Sequence, residues 1–146
     1  MEQETAIAAV GHAIQLSVAP VFLLSGIAGM LAVMTNRLSR IVDRAREVEA
    51  RLPASSPGEL TSLHGELRTL SRRAKSINVS ITLCTITALF ISAVVATLFI
   101  AAFLLFDAAS WVAVLFVSGM ATFFVALLFF LREIFTATAA LRIGPR

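Results

Sequence analysis

The chain has 146 residues, 58% of them hydrophobic and 14% charged, with a mean hydropathy of +0.90. That composition excludes a small water-soluble domain, because one core of this size cannot hide so much Phe, Leu, Ile and Val. The formal charge of +3 raises nucleic acid as a partner only until the basic residues are located, and the single cysteine, Cys84, excludes an intrachain disulfide framework.

The first nine residues are polar and then alanine-rich, with acidic Glu2 and Glu4 and no basic segment ahead of a cleavage site, so no secretory leader is expected. A first span is expected over about residues 10–35, where VGHAIQLSVAPVFLLSGIAGMLAVM exceeds the ~20 apolar residues that cross a bilayer. Pro20 interrupts it. Its ring removes one amide donor and crowds the carbonyl of Leu16, which predicts a kink and makes Pro20 a hinge candidate. The freed carbonyl needs a partner in a neighbouring helix, a hydroxyl such as Ser17, or water. Helical projection gathers Gly11, Gln15, Val18, Phe22, Ser25, Gly29, Val33 and Asn36 on one face, most of it small or polar. With His12 one turn from Gln15 and Arg40 at the inner end, the candidate pore lining is His12, Gln15, Phe22, Ser25, Gly29, Asn36 and Arg40. Ser25 and Gly29, four residues apart, also suit close helix approach.

A cytoplasmic antiparallel helical hairpin is expected over residues 36–76. Leu38, Ile41, Ala45, Val48 and Leu52 alternate by three and four, the seam of a coiled coil, and Leu60, Leu63, Leu67, Leu70, Ala74 and Ile77 repeat the pattern. Between them Ser56, Pro57 and Glu59 spell an N-cap, a first helical proline and a capping box. Each arm projects ~25 Å. Asp43 is spaced to pair with Arg40 and Arg46, and Glu47 with Arg51.

The second span is expected at about residues 77–106, a tight turn at Asp107–Ser110, and the third span at about 111–131, with Ser118, Thr122 and Ala126 as a small-residue ridge. Thr82, Thr85 and Ser92 are read as bonding back to their own helix, the alternative being that they and Gln15 line a water-filled path. Arg132 and Glu133 mark the exit, and a cytoplasmic tail at 132–146 follows. The fold class is thus all-α, one membrane domain over residues 1–146 with three transmembrane helices.

All 12 Lys and Arg lie between Arg37 and Lys75 or beyond Leu131. By the positive-inside rule both regions are cytoplasmic and the N-terminus is outside, in a multi-pass protein of the cell inner membrane. Arg37, Arg44, Arg46, Arg72, Arg73 and Lys75 are read as topogenic or as partners of anionic lipid head groups. They hug the membrane and have no aromatic platform among them, so no nucleic acid is expected. His12 and His64 fall on opposite sides of the bilayer, and no catalytic, metal-ligating or phosphate-cradling motif is present. Neither an enzyme nor a cofactor is expected.

The stretches APVFLLSGIAGML, TNRLSRIVDRAR, RRAKSIN and FFLRE resemble a bacterial family of small integral membrane proteins catalogued as a domain of unknown function. The resemblance covers nearly the whole chain. It implies a three-span inner-membrane protein and supplies no activity or catalytic residue. The residues themselves point to a homo-oligomer whose first span lines an anion-leaning pore. The alternative is a non-conducting accessory or scaffold subunit that docks a protein partner through its hairpin.

Overall fold

The computed structural model describes residues 2–104 and 107–139, with side chains described over 7–104 and 107–135. It holds three long α-helices, α1 (Glu2–Arg51), α2 (Pro57–Leu104) and α3 (Ala109–Ala139), with a short 3-10 turn at Leu52–Ala54 between the first two. No strand occurs among the described residues. The last two positions of the expected second span, 105–106, and the tail beyond 139 lie outside them.

The expectation that the first span runs on into the hairpin arm holds, because α1 is one helix of 50 residues. It passes through Pro20 without a break, and Pro20 is buried. The Ser17 hydroxyl donates to the Ile14 carbonyl at 2.8 Å, so it does not serve the Leu16 carbonyl as the sequence suggested. Likewise α2 carries the second arm and the second apolar stretch in a single helix of 48 residues.

The turn forms as the local chemistry dictates. Pro57 opens α2, Leu60 N–H donates to the Ser56 carbonyl at 3.0 Å, and Glu59 Oε2 accepts from both the Ser56 N–H and the Ser56 hydroxyl at 2.9 Å. The backbone N–H first, and the hydroxyl second, hold the Glu59 carboxyl below the usual carboxylate range. A depressed folded pKa means that this stabilisation is present above the ordinary glutamate pKa and lost as pH falls through the lower, folded one. Amide exchange around residues 55–60 is therefore expected to quicken in acid ahead of the rest of the hairpin. In Glu59→Gln that acid step should vanish; an unchanged step would assign it elsewhere.

The chain forms two compact units. The first combines α1 up to Leu31 with Leu83–Phe124, and the second combines Ala32–Thr82 with α3 from Val125. In the first, Gly119 of α3 lies so close to α2 that a Cβ there would sit 3.1 Å from the Phe90 Cβ. Ser118 and Thr122 of the expected small-residue ridge are half-buried and Ala126 is buried, and Gly119 lies beside them. In the second unit the two arms pack with every expected seam residue buried or half-buried, Val48 and Ile77 completely.

Burial recurs every seven residues along each helix. On α1 the buried series is Ala13, Pro20, Ile27, Met34, Ile41 and Val48; on α2 it is Leu70, Ile77, Cys84 and Ile91, beside Ser80, Thr87 and Val94; on α3 it is Gly119, Ala126 and Glu133. A repeat of seven keeps one stripe of a helix facing its neighbours over many turns. Yet only 17% of the most apolar stretch of each helix is buried, and all three are long and apolar enough to cross a membrane. Large side chains such as Phe22, Phe103, Trp111 and Val117 point away from the protein.

Candidate functional site at the base of the helical hairpin

Ser55 is the pivot of the two arms. Arg44 and Glu66 lie eleven residues to either side of it, and Arg37 and Arg73 lie eighteen to either side. At 1.5 Å per residue the second pair stands about 27 Å from the turn. Antiparallel pairing about that pivot brings each pair level, which places four charged side chains on one flank of the hairpin.

Arg44 spans the arms. Its Nε and Nη2 donate to Glu66 Oε1 at 3.0 and 2.9 Å, and its Nη1 donates to Glu47 Oε2 at 3.1 Å. The Glu66 carboxylate first, and Glu47 second, hold the guanidinium above its already high ordinary pKa. Among the described residues Glu47 pairs with Arg44 rather than Arg51, and Asp43 pairs with neither Arg40 nor Arg46. Arg44 thus joins a two-nitrogen contact across the arms to a one-nitrogen contact on its own helix.

At the base, Glu133 enters from α3. It is 1% exposed and occupies the same seven-residue column as Gly119 and Ala126. Arg73 donates through Nε and Nη2 to Oε1 at 3.2 and 2.9 Å, and Arg37 Nη2 faces Oε2 at 3.3 Å. The Arg37 guanidinium also lies over the Phe130 ring, 5.5 Å from its centroid. One buried carboxylate thus holds two guanidiniums, each from a different arm, and the ring supplies a further cation–π contact. In the sequence, Arg37 and Arg73 stand only as head-group or topogenic residues and Glu133 only as an exit marker.

Beside this clamp the second unit has a hollow of about 420 Å³, lined by Asn36, Arg37, Arg40, Arg44 and Arg73 with Val33, Ile41 and Leu70. Arg40 is exposed and, among the described residues, makes no ion pair. Arg46, Arg72 and Lys75 are also exposed.

The remaining candidates share one property. His12, Gln15, Phe22, Ser25, Gly29, Asn36 and Arg40 are all exposed, Phe22 at 74%, although His12 at one end and Asn36 and Arg40 at the other border hollows shared with other helices. A Cβ added at Gly26 or Gly29 would meet nothing within 4 Å. In the first unit His12 lines a groove of about 770 Å³ walled largely by alanines, and Asp107 lines it too. Asp107 Oδ1 accepts from the Ala109 N–H at 3.0 Å and caps α3. His64 is exposed on the hairpin, its ring nitrogen 2.7 Å from the Leu60 carbonyl. Hydroxyls within the apolar stretches, at Ser80, Thr82, Thr87, Thr97 and Thr122, donate to carbonyls four residues back on their own helices. Among the described residues no group of His, Cys, Asp and Glu is arranged to hold a metal.

Residues 17–143 match a family described as a protein of unknown function (DUF2721). No curated protein and no solved structure matches the chain.

Proposed function

Because the chain belongs to this family of unknown function, which carries no activity to transfer, we propose from its geometry that it is a homo-oligomeric protein of the bacterial inner membrane whose α1 faces line an anion-leaning pore. One observation carries the reading: Gln15, Ser25 and Gly29, with Phe22 among them, are exposed along one side of α1. Lipid is a poor match for Gln15, Ser25 and Asn36, whereas copies of the same face or a water-filled axis suit them. Arg40 at the inner end favours anions, and Phe22 narrows the middle. The hairpin and C-terminus lie in the cytoplasm with the N-terminus outside, a placement that the distribution of Lys and Arg supports.

A second reading is favoured by a separate observation, the two ion clusters that tie the arms together and to α3. They make the hairpin a stiff arm suited to docking a protein partner in a non-conducting scaffold.

Three measurements separate these. An impermeant thiol reagent applied to whole cells should label Ser110→Cys and spare Ser55→Cys, each in a Cys84→Ala background; the reverse overturns the orientation. Native mass spectrometry from nanodiscs should give an oligomer that Gly29→Leu reduces to smaller species. Reconstituted bilayers should pass anions, and Phe22→Ala should raise the current. Silence of an intact oligomer across voltage and tension would favour the scaffold.

A further inference from the structure

We propose that the hollow at the base of the hairpin is a specific site for the phosphodiester head group of one anionic phospholipid. The proposal rests on the membrane placement above and is independent of conduction. It goes beyond general attraction of basic residues to a charged surface, because it names a pocket and a stoichiometry.

Four of the residues that line the hollow are arginines, Arg37, Arg40, Arg44 and Arg73, Asn36 adds an amide, and no carboxylate is among them. Gathering four cations around an open space is unfavourable unless something holds them or something negative enters. The protein does the holding from behind. Glu133 fixes Arg37 and Arg73, and Glu66 and Glu47 fix Arg44, so three guanidiniums are oriented before any ligand arrives. Each guanidinium carries five N–H donors. Arg37 gives one nitrogen to Glu133 and Arg73 gives two, which leaves donors on both. Arg40 commits none to a carboxylate among the described residues. Preorganised, forked donors are what phosphate recognition uses.

The size and the walls choose the source of the phosphate. A hollow of about 420 Å³ falls within the range of small-molecule sites, large enough for a phosphate with its glycerol. Val33 forms one wall and is half-exposed. It belongs to the apolar stretch that ends at Met34, so a ligand seated on the arginines has hydrocarbon-compatible surface where its chains must go. A free phosphate or nucleotide has no use for that wall.

The test uses the full chain in mild detergent, titrated with phosphatidylglycerol or phosphatidylcholine and read by native mass spectrometry. One phosphatidylglycerol per chain should bind about tenfold tighter than phosphatidylcholine. Arg40→Gln, which breaks no ion pair and should keep the wild-type thermal midpoint, is expected to remove about that tenfold preference. Arg68→Gln, an exposed arginine outside the hollow, should leave it intact. Equal losses in the two variants would show diffuse charge attraction and overturn the site, as would an unchanged Arg40→Gln. Competition by soluble glycerol 3-phosphate as effective as by the lipid would overturn the lipid as its source. Because the readout is binding in detergent, silent bilayers would defeat the pore reading and leave this result untouched.

Discussion

Glu133→Gln is expected to destabilise the folded chain by about 1–3 kcal/mol, since it removes the charge that compensates two half-buried guanidiniums and weakens their hydrogen bonds. The amide keeps the shape and one acceptor, so the loss reports charge rather than packing. Single replacements of the arginines should rank by what each gives the carboxylate. Arg73→Leu removes two donated bonds and Arg37→Leu one close contact, so the first should be the more damaging. In each case Glu133 is left buried and under-compensated. The triple change Glu133→Leu, Arg37→Met, Arg73→Leu should recover most of the lost stability, because apolar replacements of a whole buried ion cluster are often neutral or better. Thermal midpoints in one detergent would check the series. A neutral Glu133→Gln, or a triple variant worse than any single, would refute the account. If the series holds, the cluster is there for specificity: a charge in a seven-residue column admits one pairing of helices and penalises the rest.

Gly119→Leu should be the most damaging change in the first unit. The new Cβ alone would sit 3.1 Å from the Phe90 Cβ. That atom is fixed to the backbone of α2 and cannot rotate aside, so the helices must part. Overpacking of this kind costs about 1–3 kcal/mol, and the rest of a leucine adds to it. Gly119→Ala sets the same clash of a few tenths of an ångström against the roughly 1 kcal/mol by which alanine improves a helix, and should come out neutral or slightly worse. Gly26→Ala meets open space within the chain and should gain roughly 0.5–1 kcal/mol in the monomer. The midpoints should rank Gly26→Ala first, Gly119→Ala second and Gly119→Leu last, and a tolerated Gly119→Leu would mean that α2 and α3 do not approach there.

What the sequence made legible follows range of interaction. The Ser56–Pro57–Glu59 cap is local chemistry within four residues, and its Glu59 half formed as spelled, while the Ser56 hydroxyl turns to donate to the Glu59 carboxylate. The two hairpin seams follow from apolar spacing along single helices, and every seam residue is at least half-buried. The three long apolar helices needed only length and composition. The ion pairs did not follow, because they depend on how helices align side by side. Arg73 and Glu133 are 60 residues apart, and Arg44 reaches Glu66 across the turn as well as Glu47 on α1. A signal did exist in Glu133 itself, which falls seven and fourteen residues beyond Ala126 and Gly119 and so continues a buried column. Reading Arg132 and Glu133 together as a polar exit concealed it. The glycine contact was missed similarly, since Ser118 and Thr122 drew the ridge one position away from Gly119.

The matched distances from Ser55 constrain how this hairpin can change length. A one-residue insertion in either arm would turn everything beyond it by about 100° and shift it 1.5 Å along the axis. Arg37 and Arg73 would then no longer stand level, and the carboxylate between them would lose one of its two holders. Seven residues added to one arm alone restore the rotation but leave a mismatch of about 10 Å in height. Only equal seven-residue steps, taken in both arms together, preserve the base while moving the tip. Homologous hairpins should therefore differ in length by paired multiples of seven, and single-arm insertions should be confined to the turn around Ser55.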